Sequence, residues 1–425
     1  MFRTVSIRPA RTRRAIAALA FAALAAPALA APALSLDEAL KIAQARSPQL
    51  AAQQASARAA AALVPAAGEN PDPQLFFGVE NVPAQGPNRW SLDADSMTMK
   101  RVGVMQQFVR GEKREEREAR ADAESRREAA LLEMQRADLK RDVAIAWLDR
   151  YYAQRQLALV DALAKEIELQ SSAATADLAA GRAGSADAIM ARSARAMLAD
   201  RRLEIEGRAR RAEAMLARWI GKDASRAPAD PPDVTALGSH GGMLEKDLEH
   251  HPHLAMYGPM EAAAEADLKL AEAAKKPDWS LELSYGQRSA PFDDMVTLMV
   301  RVDLPIFQSK RQAPVVASKE QALEQVRAQA EDARARHLAD IRAGLADWDI
   351  AKARVDRQKR DIVPLAEERA RLVQSAYAGG RADLAAALEA RRAALEARLS
   401  EIGAESELAR AWAQLAYLIP EGEQP

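Results

Sequence analysis

Two short stretches of the chain alternate apolar and polar residues with a period of two, and almost everything else follows the period of a helix. In "WSLELSYG", Trp279, Leu281, Leu283 and Tyr285 alternate with Ser280, Glu282 and Ser284, so a strand here has one apolar and one polar face. From Val296 to Ile306 every even position is apolar, while Thr297, Arg301 and Asp303 lie opposite. Eleven residues is the length of a tilted membrane-spanning strand. The two runs flank the turn-like "QRSAPFDD" and predict a hairpin. A second pair, "QLFFGVE" at 74–80 and "TMKRVGVMQQFV" at 98–109, predicts another. Its pattern is less clean, because Lys100 shares a face with Val102 and Val104.

The remainder, rich in Ala, Leu, Arg, Glu and Gln, predicts helices, with proline-free stretches from about 110 to 180 and from 315 to 363. Positions 145, 148, 152, 155, 159, 162, 166, 169, 173 and 176 step by three and four, and eight of the ten are Ile, Leu, Tyr or Ala. That spacing is a coiled-coil seam. Seventy helical residues reach roughly 100 Å, which no compact single domain accommodates.

The chain also repeats itself. Phe108 ends one strand run and Gly181 follows 73 residues later; Phe307 ends another and Gly380 follows 73 residues later, an offset of 199 at both landmarks. The pairs Gly181-Arg182 and Gly380-Arg381 each stand where two helical segments must reverse, and glycine suits a helix C-terminus. The expected organisation is a first repeat over 31–220, a Pro- and Gly-rich linker over 221–242 and a second repeat over 243–425. Each repeat reads helix, hairpin, long helix, turn, helix. Within it "RSPQL" at 46–50 matches "HHPHL" at 250–254. A polar residue before proline is an extended entry to a helix with proline in its first turn. Since Ser47 and Gln49 occupy the places of His251 and His253, the histidines are read as structural rather than as metal ligands, with His240 and His337 as singletons.

Composition removes several classes. The first thirty residues hold five arginines and no acid, then an apolar run closing on Ala28-Leu29-Ala30, which reads as a signal peptide over 1–30. Taking those five from 60 basic residues leaves 55 against 61 acidic, a net charge of −6, so a nucleic-acid partner is not expected. With no cysteine in 425 residues, thiolate metal sites, disulfides and N-terminal acylation are all excluded. The longest later apolar run is far short of the ~20 residues of a spanning helix, so any membrane crossing must use strands. GxxxxGK[ST], HExxH and GxSxG are all missing, so neither an enzyme nor a cofactor is expected. The rival class is a soluble periplasmic coiled-coil adaptor, against which stand two strand pairs and a full duplication.

Four strands cannot close a barrel, because open edges in lipid leave backbone groups unsatisfied. Two, three or four copies would supply eight, twelve or sixteen strands, and arithmetic does not choose.

Paired halves with a short hairpin in each, "VGVMQQF" and "VDLPIF" closing the strands, and glycine-arginine helix turns resemble the TolC family of outer-membrane efflux proteins. "NPDPQLFFGVEN" at 70–81 is similar to the heavy-metal branch, the CzcC and CusC type, although the lipid-bearing cysteine of several branch members is missing. The resemblance implies a mainly α fold: long coiled-coil helices form an α-barrel tunnel, and four strands per chain contribute to a trimeric 12-stranded transmembrane β-barrel. It implies a Gram-negative outer-membrane location with a large periplasmic portion. It implies a homotrimer working with a periplasmic adaptor (membrane fusion protein) and an inner-membrane pump of the RND type, passively conducting heavy-metal cations such as Cu/Ag or Co/Zn/Cd. The alternative cargo is organic compounds, as in multidrug efflux. Leu281, Leu283, Leu298, Val300 and Val302 are then expected to face lipid, and Arg301 and Asp303 the lumen. The turns at Gly181, Arg182, Gly380 and Arg381 would dock the adaptor. The family's paired gate acids fall on Ala386 and Glu389; only the second is acidic here, while Asp187 takes the first place in the other repeat, so a gate ring would mix Asp187 and Glu389. Met97 and Met99 are the candidate soft-metal ligands, since thioethers suit Cu(I) and Ag(I).

Overall fold

The computed structural model describes residues 32–179, 184–237, 244–246 and 248–418. Chain order is α1 (Leu36–Arg46), α2 (Pro48–Ala67), β1 (Gln74–Glu80), β2 (Met99–Phe108), α3 (Gly111–Ala179), α4 (Ser185–Ile220), α5 (Pro252–Ala255), α6 (Tyr257–Ala273), β3 (Trp279–Arg288), β4 (Met295–Val302), α7 (Gln312–Arg357), α8 (Val363–Ala378) and α9 (Leu384–Ala416). A mainly helical chain thus carries one small sheet. Its strands run in the order β1-β2-β3-β4, all neighbours antiparallel, so the two hairpins pair through β2 and β3.

Helix entries follow the repeat. Ser47 caps α2 through its hydroxyl, which accepts the Leu50 amide at 3.2 Å, and Pro48 takes the first position, where its missing N–H costs nothing. Pro252 does the same for α5 after His251. The 69 residues of α3 run unbroken for about 100 Å. Its counterpart in the second half does not: a five-residue π segment, Gln358–Ile362, separates α7 from α8. Pro364 is the cause, since its ring and missing N–H break the regular ladder one turn back. The wider turn aims Lys359 at Glu405 of α9, 2.6 Å away, where Arg155 of α3 also arrives at 2.5 Å. Burial works against the Glu405 charge, but the bonds from Lys359 and Arg155 outweigh it and hold the carboxyl below its usual range.

The main core lies where α1, α3, the end of α4 and α9 meet, around Val143, Trp147, Leu148, Leu216, Ile220 and Leu408. Here α3 is buried on several sides, so burial spreads beyond the seam: Leu148 and Tyr152 of the seam are buried together with Val143 and Trp147, whereas Arg155 and Ala162 are exposed. The stretch after α4 is strapped down rather than slack. Leu34 exchanges backbone bonds with it, its N–H donating to Ala227 at 2.8 Å and its carbonyl accepting from Ala229 at 2.9 Å. Indole N–H groups of Trp348 and Trp412 donate to the carbonyls of Val234 and Ala236, both at 3.0 Å. The many Arg–carboxylate pairs along the exposed helix faces each contribute little, typically under about 1 kcal/mol.

Candidate functional site

Register sorts the sheet into two unlike faces. Leu281 pairs with Val300, Leu283 with Leu298 and Trp279 with Val302, so the five aliphatic residues singled out in β3 and β4 lie on one face. β2 and β1 continue that face through Val102, Val104, Phe77 and Leu75. Among the described residues nothing covers it: Phe77 is 84% exposed, Leu298 66% and Val300 60%, with Leu281 half-buried. Phe108 stacks on Trp279 at 4.2 Å between ring centroids at the end of the face nearest the helices. Lys100 and Gln287 interrupt it at the other end. The apolar rows between span about 20 Å, close to the lipid band of an outer-membrane barrel.

The opposite face is polar and built around Arg101. Its guanidinium donates to Glu80 at 2.6 Å, to Glu282 at 2.6 Å and to the Ser284 hydroxyl at 2.7 Å, and lies 5.3 Å from the Phe76 ring centroid. Gly103 makes room for this, because a Cβ there would stand 2.5 Å from both the Phe76 ring and Ser284. Arg301 joins at 3.7 Å from Glu282. Glu282 is only 14% exposed, enclosed between Arg101 and Arg301. Met99, Met105 and Met299 share this face, with Met295 opposite Gly286. Met99 lies across Gly286, its sulfur 3.0 Å from where a Cβ would be. Met97 is exposed in the preceding loop. β4 stops at Val302 rather than Ile306, just before Pro305, which cannot donate to a ladder, and Asp303 turns back to bond the Asp278 carbonyl at 2.9 Å.

At the far end of the helices, Gly380 has φ +66°, with Gly380 N–H donating to Tyr377 O at 2.9 Å and Arg381 N–H to Ala376 O at 2.8 Å. That pair of bonds is a Schellman ending, which needs a residue tolerating the left-handed region. Asp383 then caps α9, accepting the Ala386 amide at 2.7 Å. Gly181 and Arg182 lie outside the described residues. Glu389 is exposed and lines a groove between α4 and α9 with Met190, Ser193 and Met197. Among the described residues it forms no ion pair with Arg392. Asp187 belongs to the first turn of α4, and its side chain lies outside the description.

The histidines differ from the reading as singletons. His337 of α7 meets His251, ring nitrogens 2.8 Å apart, and stacks on His253 at 5.6 Å between centroids; His253 in turn contacts Asp138 of α3 at 3.0 Å. Sequence offered no signal for this, because the groups come from three separate segments. Among the described residues no group of three or more His, Asp or Glu is arranged to hold a metal ion. His240 lies outside the description.

An uncovered apolar sheet face backed by a polar one thus stands on long helices, the longest about 100 Å. Residues 243–419 match the model of the family described as outer membrane efflux protein. Among solved structures, the outer membrane protein VceC of Vibrio cholerae is 19% identical with a TM-score of 0.73, over 90% of this chain and 94% of that one. CusC, described by its transmembrane channel formation, is 15% identical with a TM-score of 0.74 over 91% and 92%. The MtrE outer membrane channel of Neisseria gonorrhoeae in its open state is 18% identical with a TM-score of 0.73 over 90% and 88%. At these identities they show a shared fold. No curated protein matches the sequence.

Proposed function

We propose that the protein is the outer-membrane channel of a tripartite efflux system. Three copies close a 12-stranded barrel through the free edges of β1 and β4, and their helices enclose a tunnel descending into the periplasm. An adaptor and an inner-membrane RND-type pump deliver the cargo. The observation that carries this reading is the sheet itself: an apolar face that no described residue covers, with two edges unpaired among the described residues. In lipid both become favourable only in a closed barrel. Among the described residues no helix is long and apolar enough to cross a membrane.

Soft cations such as Cu(I) and Ag(I) are the favoured cargo. Met99, Met105, Met295 and Met299 all fall on the polar, inward side, where no packed core asks for methionine. Thioethers bind such ions weakly enough to release them. Organic compounds are the second reading, since a wide polar tunnel has no need to read its contents. Asp187 and Glu389 form the periplasmic gate, carboxylates near the start of α4 and α9 that draw cations into the mouth.

In planar bilayers the protein should conduct as a cross-linkable trimer. The Asp187→Asn, Glu389→Gln double variant should lose cation preference, and Ag⁺ should slow wild-type current more than that of a variant with the four methionines changed to leucine. Unchanged selectivity in the double variant would remove the gate assignment. Equal silver sensitivity would remove the soft-metal reading and leave the channel intact.

Residues 181–182, between α3 and α4 in the chain, and the Gly380-Arg381 turn between α8 and α9 dock the adaptor, since each follows its strands by more than seventy residues. The chain lacks cysteine, so a single one placed at Ala183 or Ala382 gives a clean cross-linker. Both should capture the adaptor in cells; capture only from cysteines beside the strands would place docking elsewhere.

A further inference from the structure

The three-histidine contact is unlike the other polar contacts between helices, which are mostly arginine–carboxylate pairs. His251 is fully buried at the entry to α5, and its Nδ1 lies 2.8 Å from Nε2 of His337 on α7. Two ring nitrogens at that distance share one proton: one donates, the other accepts through its lone pair. Adding a second proton sets two N–H groups against each other, so the contact must part. His253 lies flat against the same His337 ring and sends Nε2 to Asp138 of α3. Its Nδ1 is buried without a partner, which a bare lone pair tolerates better than an N–H.

The cluster is one joint among three elements. α5 carries His251 and His253, α3 carries Asp138, and α7 carries His337. The charged groups around it are Asp138, which also takes Arg141 at 2.7 Å, and Asp142, which shares that arginine at 2.9 Å. From the other side come Asp340 on α7 and the Arg334–Glu249 pair at 3.7 Å, with His250 beside it.

We propose that His251 and His337, braced by His253, form a proton-operated clasp, closed while the two rings share a single proton, which ties the start of the second repeat to α3 and α7 and releases as the surroundings acidify. The electrostatics give the direction. Burial first, and then neighbouring His253, hold His337 below the ordinary histidine range, with Asp340 pulling the other way. The unfolded or opened chain therefore takes up its proton as pH falls through about 6.5, before the closed clasp does. Stability present above that value drains away as pH drops toward the lower folded value. Asp138 acts in a different window: the bond from His253, then its nearness, keep that carboxyl below its usual value, so its contribution persists until pH falls below about 4. Asp138 therefore keeps its charge through the window in which His337 takes up its proton.

The test uses the full mature trimer with spin labels on Ala255→Cys and Ala335→Cys, both exposed, one at the end of α5 and one on α7 a half-turn from His337. Labelled chains are diluted with unlabelled ones, so that distances within one protomer are read by pulsed electron resonance. A narrow distance distribution at pH 7.5 should broaden or lengthen reversibly by pH 5, with a midpoint at or below the ordinary histidine value. His337→Gln, which can hydrogen-bond but not titrate, should abolish the step. A pH-independent distribution in the wild type, or a step of equal size in His337→Gln, overturns the proposal. Should that variant fail to assemble, His253→Asn must at least halve the step, and an undiminished step there overturns it as well. The readout is a distance within the protein, so it stands whether or not the channel conducts as proposed.

Discussion

Arginine at Leu298 should prevent the protein from assembling in the membrane, while arginine at the adjacent Thr297 should be tolerated. Leu298 stands in the middle of β4 on the uncovered apolar face, paired with Leu283 of β3. If that face meets lipid, a midplane arginine costs about 2–4 kcal/mol per chain, and three copies pay it together. Thr297 pairs with Ser284 on the side of the Arg101 network, which in the proposed barrel faces a water-filled lumen that accepts another cation. The measurement is the fraction of heat-modifiable trimer in outer-membrane extracts. Intact trimer from Leu298→Arg beside its loss in Thr297→Arg would mean that the sheet's faces are inverted. Equal tolerance of both would mean that no barrel forms.

Trp147→Ala should produce the largest loss in the helical part. The indole is fully buried in the main core, donates to the Leu34 carbonyl at 3.1 Å and stacks on Tyr151 at 5.8 Å between centroids. Removing a buried tryptophan leaves a cavity worth about 3–5 kcal/mol. Because Leu34 is the point at which the N-terminal segment is laced to residues 227–229, the loss should also loosen that strap. Trp147→Phe keeps most of the volume and forfeits mainly the hydrogen bond, on the order of 1 kcal/mol. Urea unfolding of the detergent-purified protein followed by circular dichroism reads both. A destabilisation by Trp147→Ala of under about 1 kcal/mol would mean that this core does not hold the helices together. The exposed ion pairs offer a comparison, since removing Arg336 from its pair with Asp332 should fall within experimental scatter.

The sequence by itself determined the elements and their order. Period-two alternation identified β1 at 74–80 to the residue and β2 to within one, and it put Lys100 on the face that β2 presents. Pro48 and Pro252 marked helix entries, and Gly380 marked the reversal that its positive φ and Schellman bonds make physical. These signals are local: backbone period, a missing amide, a left-handed turn. What only the tertiary structure decided joins residues far apart along the chain. Arg101 finds Glu282 across 181 positions, Trp147 finds Leu34 across 113, and His251 finds His337 across 86. Long helices set those meetings, because once their rise and packing angle are chosen, side chains on separate segments come level at fixed heights. The same reason explains why burial on α3 spreads beyond its seam. A heptad assumes one neighbouring helix, but around Trp147 the helix is surrounded by α1, α4 and α9, so burial follows the number of neighbours instead of the repeat.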